Sequence, residues 1–287
     1  MAVPEPAAAA SRLRVLIAAL ALAAVAADGA AQAPVPPEPI VATYADVADL
    51  VGKAALVTLV EVRDQAEVDP ARAPGLAPGH ARLYIEARTV ALLAGASAVG
   101  ESLVYLVDVP LRENGKAPKL KKQRFLIFAD RVPGRPGSLQ LVEPGAQIPA
   151  TPATEQLSRT VIAALAAPDA PPRITGVRDV MSVRGNLAGE SETQLFLDTA
   201  SGAPVSLTVL RRPGMEPVWG VSWSEIVDQA ARPPQPETIE WYRLACSLPA
   251  QLPEDAFLQE DAAARRQAET DYGFILQQLG QCTRVRG

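Results

Sequence analysis

Ala54-Ala55-Leu56-Val57-Thr58-Leu59-Val60-Glu61-Val62 is a run of Val and Leu with one charge near its end. Aliphatic and β-branched residues without Gly or Pro fit a pleated strand buried on both faces. Upstream, Thr43 is an N-cap candidate with Asp46 three residues on. Tyr44, Val47, Leu50 and Val51 share one helical face, which predicts a short helix ending at about Gly52. Downstream, residues 64–80 hold three prolines and two glycines and read as a long loop.

Four further strand candidates follow: Leu83 to Leu93, Leu103 to Val109, Gln123 to Ala129, and Ser138 to Val142. Asn114-Gly115 is a reverse-turn signal between the second and third of these. Thr151, with Pro152 at the first helical position, starts a helix whose apolar face is Leu157, Val161, Ile162 and Leu165. Pro168 to Pro172 ends it and marks the expected domain boundary. Beyond lie strands at Ile174–Val183, Thr193–Asp198, Val205–Leu210 and Val218–Val227, then helices at Glu237–Ser247 and Asp261–Leu279. The expected fold is α+β and β-rich. A small OB-like β-barrel with a closing helix covers 42–168, and an α+β domain ending in two helices covers 173–287.

The first half resembles the netrin-like, tissue-inhibitor-like version of the OB fold. The resemblance rests on the helix Tyr44 to Gly52, the strand Ala54 to Val62, and a strand ending in Leu92-Leu93-Ala94-Gly95. Arg124-Phe125-Leu126-Ile127-Phe128 and the helix closing the segment add to it. The whole chain also resembles exported alphaproteobacterial proteins of unknown function. Tissue inhibitors meet a protease metal through an N-terminal cysteine. No cysteine precedes Cys246 here, so metalloprotease inhibition is not carried over.

The beginning of the chain predicts export. Arg12 and Arg14 precede an apolar run from Val15 to Ala27, and small residues follow. A 13-residue apolar run is a signal-peptide h-region, too short to span a bilayer. The signal peptide is read as 1–31, with cleavage after Ala31 preferred and after Ala26 or Ala27 the alternative. A Pro-rich leader then covers 32–41. No later stretch is long and apolar enough to span a membrane, and the expected compartment is periplasmic or extracellular. In such an oxidising compartment Cys246 and Cys282 predict one disulfide across 36 residues of separation. Arg outnumbers Lys 22 to 5, the coding bias of a GC-rich bacterium. The net charge is −5, and removing Arg12, Arg14, Glu5 and Asp28 leaves it unchanged, which argues against nucleic acid as partner.

His80 is the only histidine and follows Pro78-Gly79 in a loop, so a Ser–His or Cys–His engine and a histidine-rich zinc site have little to work with. No cofactor is expected. Glu190, Glu192, Asp179, Asp198 and Glu225 keep a carboxylate-dependent, glycosidase-like hydrolase as the alternative function. Trp219 and Trp223 read as core, or as a stacking pair on one strand face, and Trp241 and Tyr242 as packing at a helix start.

The densest feature is cationic: Lys116, Lys119, Lys121, Lys122 and Arg124 lie within nine residues of a net acidic chain. Either these lysines guard an exposed strand edge, leaving it on both sides, or they hold an anionic partner. The expected function is a non-catalytic envelope or secreted binding module, whose partner is an anionic envelope component or protein. A protease-inhibitor-like module stands third, after the hydrolase.

Overall fold

The computed structural model describes residues 41–224 and 231–286. The expected signal peptide, the leader as far as residue 40, and Glu225 lie outside these residues. Helix α1 (Tyr44–Lys53) begins on a reciprocal cap: the Thr43 hydroxyl accepts from the Asp46 amide, and the Asp46 carboxylate accepts from the Thr43 amide at 2.8 Å. Strand β1 (Leu56–Glu67) follows, then β2 (His80–Gly95), β3 (Ser102–Pro110), β4 (Arg124–Arg131), β5 (Leu139–Leu141) and β6 (Gln147–Pro149). Helix α2 (Pro152–Ala166) starts on Thr151 as N-cap.

These strands form one antiparallel sheet of order β3-β2-β1-β4-β5, with β6 also on β4. The central position of β1 explains its composition: Leu56 to Val60 is buried throughout. Phe125 to Ala129 on β4 is buried for the same reason, and Leu83, Ile85 and Tyr105 complete this part of the core. Full burial of each large apolar side chain contributes about 1.5–3 kcal/mol. The Tyr105 hydroxyl donates to Gln147 Oε1 at 2.7 Å, so its polar end is satisfied inside. The two edges, β3 and β5, approach each other. Val104 N–H donates to Gly137 O at 2.9 Å, Asp108 N–H to Pro144 O at 2.8 Å, and an isolated parallel bridge joins Val104 to Ser138. No continuous ladder closes the sheet among the described residues.

The second sheet is antiparallel in the order β10-β9-β8-β7. Its strands are β7 (Ile174–Arg184), β8 (Ser191–Thr199), β9 (Val205–Arg211) and β10 (Val218–Ser222). Clean alternation on β8 turns Thr193, Leu195 and Leu197 inward and leaves Glu192, Gln194 and Phe196 on the outer face. Helix α4 (Ala262–Leu279) covers the inner face with Ala264, Ala268, Asp271, Tyr272 and Ile275. Helix α3 (Ile239–Ala245) touches α1, α2 and α4. The fold is therefore α+β and β-rich, with two antiparallel sheets and four α-helices among the described residues. Ile40–Gly287 form one compact unit, and Pro168 to Pro172 link α2 to β7 inside it.

The expected disulfide forms: Cys246, just after α3, is bonded to Cys282, just after α4. The residues beyond it make a strap across α1. Asp46 accepts from the amides of Val285 at 3.1 Å and Arg286 at 3.2 Å. Arg284 donates to Asp49, and Arg286 donates to the carbonyls of Gly145 and Gln147.

Candidate functional site

The cationic segment sits in the connection between β3 and β4. Its first turn is closed by Gly115 N–H to Arg112 O at 2.8 Å and Arg112 N–H to Lys116 O at 3.0 Å. Gly115 has a φ of 72°, a left-handed conformation that glycine adopts without penalty. The chain does not return as a hairpin, because β3 and β4 are separated by β2 and β1. It crosses to β1 instead. There Lys122 N–H donates to Val62 O at 2.8 Å, and Val62 N–H donates to Gln123 O at 3.0 Å.

The Gln65 side chain clamps the crossing. Its Nε2 donates to Pro118 O at 2.9 Å, and its Oε1 accepts from the Leu120 amide. Gln123 Nε2 closes the other side on Lys119 O at 2.8 Å. Leu120, only 6% exposed, is the apolar anchor. Lys119, Lys121 and Lys122 flank it and are all exposed. A buried pivot and a side-chain clamp thus fix the backbone while the three ammonium groups stay in water.

These lysines precede β4, which lies between β1 on one side and β5 and β6 on the other, so they stand on no edge of β4; they run instead beside β1 beyond Glu61, where the β1–β4 ladder has ended.

Strand register brings further cations to the same place. Glu61 on β1 lies opposite Arg88 on β2 and opposite Arg124 on β4. Arg88 Nη2 approaches Glu61 Oε2 at 3.2 Å, Arg124 Nε approaches it at 4.0 Å, and Arg63 Nη1 reaches Glu61 Oε1 at 3.6 Å. Arg63 is the extra residue where the β1–β2 register shifts between Val62 and Asp64. Lys121 pairs with Asp64 at 3.2 Å, and this hydrogen bond is the main reason the Asp64 carboxyl is held below its usual range. Glu86 stands opposite Asp64 in register. Four cations (Arg63, Arg88, Lys121 and Arg124) thus stand at Glu61 and Asp64, and Lys119 and Lys122 lie on the same loop as Lys121. Lys116 is exposed on the preceding turn. Among the described residues Lys116, Lys119 and Lys122 form no ion pair.

Arg63 and Arg88 escaped the sequence reading, because they become neighbours of Arg124 only through Glu61. The available signal was the end of the β1 run, where Glu61 and Arg63 alternate with the buried Val60 and Val62.

The other candidates are scattered. His80 begins β2, with Nδ1 3.1 Å from Pro78 O. Asp179 pairs with Arg178 at 2.8 Å, and Asp198 is exposed. Trp219 is buried in the core while Trp223 is only half-buried, so the two make no open stacking pair. Trp241 packs its ring edge on Tyr44 and donates Nε1–H to Leu279 O at 2.7 Å. Glu190 and Glu192 line one cavity of about 440 Å³ on the outer face of the second sheet, with Arg184, Arg212, Met181 and Leu210. Among the described residues no group of three or more His, Cys, Asp or Glu is placed to hold a metal ion, and no helix is long and apolar enough to cross a membrane.

Comparison with protein-family models finds no match, and comparison with curated proteins finds no match either.

Proposed function

We propose that this chain is an exported, non-catalytic binding module that holds an anionic envelope component on the cationic face around Glu61. One observation carries the reading: the fold gathers Arg63, Arg88 and Arg124 about a single carboxylate, beside a clamped loop that displays Lys119, Lys121 and Lys122. Glu61 lets three guanidiniums sit close together without mutual repulsion emptying the site. An incoming phosphate or carboxylate shares their donors, and guanidinium geometry suits either oxyanion. The lysines add a field that concentrates anions at the loop.

The export part is supported by the sequence pattern ahead of residue 41 and by a disulfide consistent with an oxidising compartment. The order β3-β2-β1-β4-β5, with β3 and β5 approaching in parallel, supports an OB-like, partly open barrel over 42–168 as the scaffold.

The test uses phosphatidylglycerol vesicles and polygalacturonate as probes, which separates a lipid source of the anion from a polysaccharide source. Replacing Lys119, Lys121 and Lys122 with Gln should weaken binding to one of them about a hundredfold at low salt, from about 1 kcal/mol per cation near an anionic surface. The loss should shrink at high salt. Gln65→Leu keeps every charge and should weaken the same binding by unclamping the loop. Unchanged binding by the triple variant refutes the proposal.

A hydrolase is the second reading, because Glu190 and Glu192 share one cavity. Glycoside turnover by the purified chain, lost in Glu190→Gln or Glu192→Gln, would establish it.

A further inference from the structure

Two hairpins leave the same end of the second sheet. Residues 185–190 join β7 to β8, and residues 212–217 join β9 to β10. Ser191 pairs with Arg211 across β8 and β9, so the two tips are neighbours. Each tip carries a large apolar side chain in place of the usual polar turn residue. Leu187 and Met215 are both 62% exposed. Behind them Val183 and Val218 are also more than half exposed. Register sets Val183, Glu192, Leu210 and Val218 in one row across the four strands, on the outer face. Half of the eight large apolar side chains exposed among the described residues therefore lie at this one end. Single exposed apolar residues are ordinary, but a cluster of them marks a contact surface.

The tips are built to hold that shape. Gly185 N–H donates to Glu190 O at 3.0 Å, Glu190 N–H donates to Leu187 O at 3.1 Å, and Glu190 Oε2 accepts from the Leu187 amide at 3.2 Å. The Glu190 side chain lies against Gly185 so closely that a Cβ there would meet it at 2.2 Å. In the second tip Met215 N–H donates to Arg212 O at 3.1 Å. Leu187 and Met215 thus project from fixed turns.

Around them stands a collar of both signs: Arg184 and Arg212, with Glu190, Glu192 and Glu216. Arg184 and Arg212 form no ion pair among the described residues, whereas Arg211 is bound to Asp271. Protruding apolar tips above a mixed collar complement a surface that is apolar below and carries phosphate and ammonium above. A protein partner would instead have to supply two matching holes.

We propose that this end of the second sheet docks on a zwitterionic phospholipid surface. Leu187 and Met215 enter the headgroup–acyl boundary, Arg184 and Arg212 bond lipid phosphates, and the glutamates face the ammonium groups. This surface is separate from the cationic face and does not depend on it.

The experiment is flotation of the full chain with phosphatidylcholine vesicles. Wild type should float, and high salt should leave much of the binding. Leu187→Ser with Met215→Ser should weaken partitioning by about tenfold or more, from the apolar area no longer buried. Both side chains are exposed, so an unchanged melting temperature shows that the variant still folds. Gln at Lys119, Lys121 and Lys122 should leave this binding unchanged, which separates this test from that of the cationic face. Failure of wild type to float, or equal flotation of the tip variant, overturns the proposal. So does a concentration-dependent dimer in sedimentation that the tip variant abolishes and vesicles do not dissociate.

Discussion

Tyr242, on α3, donates its phenolic proton to Asp49, on α1, at 2.6 Å. Arg284, from the C-terminal strap, meets the same carboxylate from the other side, its Nε 2.6 Å from Oδ2. One carboxylate thus ties two helices and the strap. Burial pushes the Asp49 carboxyl up, but the hydrogen bonds from Arg284 and Tyr242 outweigh it and hold the group below its ordinary value. Tyr242→Phe should cost about 1–1.5 kcal/mol, the net worth of a partly solvated hydrogen bond to a charge. Urea denaturation measures it. A lowered folded pKa means that the Asp49 contribution is present above about pH 4 and is lost as the pH falls below that.

The alkaline limb is set by tyrosines. Burial pushes Tyr44 up to about 12. Burial, and then the bond to Asp49, does the same to Tyr242, also to about 12. Tyr105 and Tyr272 are raised by burial as well. The folded chain therefore keeps phenolic protons that the unfolded chain releases near pH 10. On this limb stability should hold up to about pH 10 and fall between about 10 and 12. Urea midpoints across that range check this, and Tyr242→Phe should flatten the slope.

The disulfide closes a loop of 36 residues separation. Replacing Cys246 and Cys282 with Ser should cost about 3–4 kcal/mol by the loop-entropy estimate. It should also loosen the strap locally. Hydrogen exchange at the Val285 and Arg286 amides should accelerate far more than at β4, because among the described residues Asp46 is what holds these amides. Equal acceleration at both places would show global unfolding instead.

Asp271 is fully buried on α4, where it accepts from Arg211 Nε, Gln267 Nε2 and the Thr193 hydroxyl. Thr193 in turn meets Ser182 at 2.9 Å. Asp271→Ala strands a guanidinium and a buried hydroxyl, and should cost about 3 kcal/mol or more. Thr193→Val removes one donor and should cost about 1–3 kcal/mol. Coupling between the two in a double-mutant cycle would confirm a shared network.

Local chemistry was readable in the sequence wherever a few adjacent residues decide the outcome. The Thr43–Asp46 cap, the Thr151-Pro152 helix start and the alternating β8 are such cases. The loop expected from residue 64 begins later, because β1 continues to Glu67 on the ladder with β2. Strand β6 has three residues, too few for alternation to show. Asn114-Gly115 does make a turn, yet not between paired strands. Only the long-range order places β2 and β1 between β3 and β4. The cationic face was half legible for the same reason: its lysines are contiguous in sequence, and its extra arginines are contiguous only in the sheet.

The strap also gives the chain an order of assembly. Asp46 and Asp49 are made early, and Val285, whose amide Asp46 accepts, follows 239 residues later. Until then the Asp46 carboxylate holds its Thr43 cap but not the strap amides, and Asp49 lacks Arg284. Residues 282–286 then bring the second sulfur, the Arg284 ion pair and two backbone donors together. A chain that lacks residues 282–286 forfeits all of these ties at once, because one short segment carries them together.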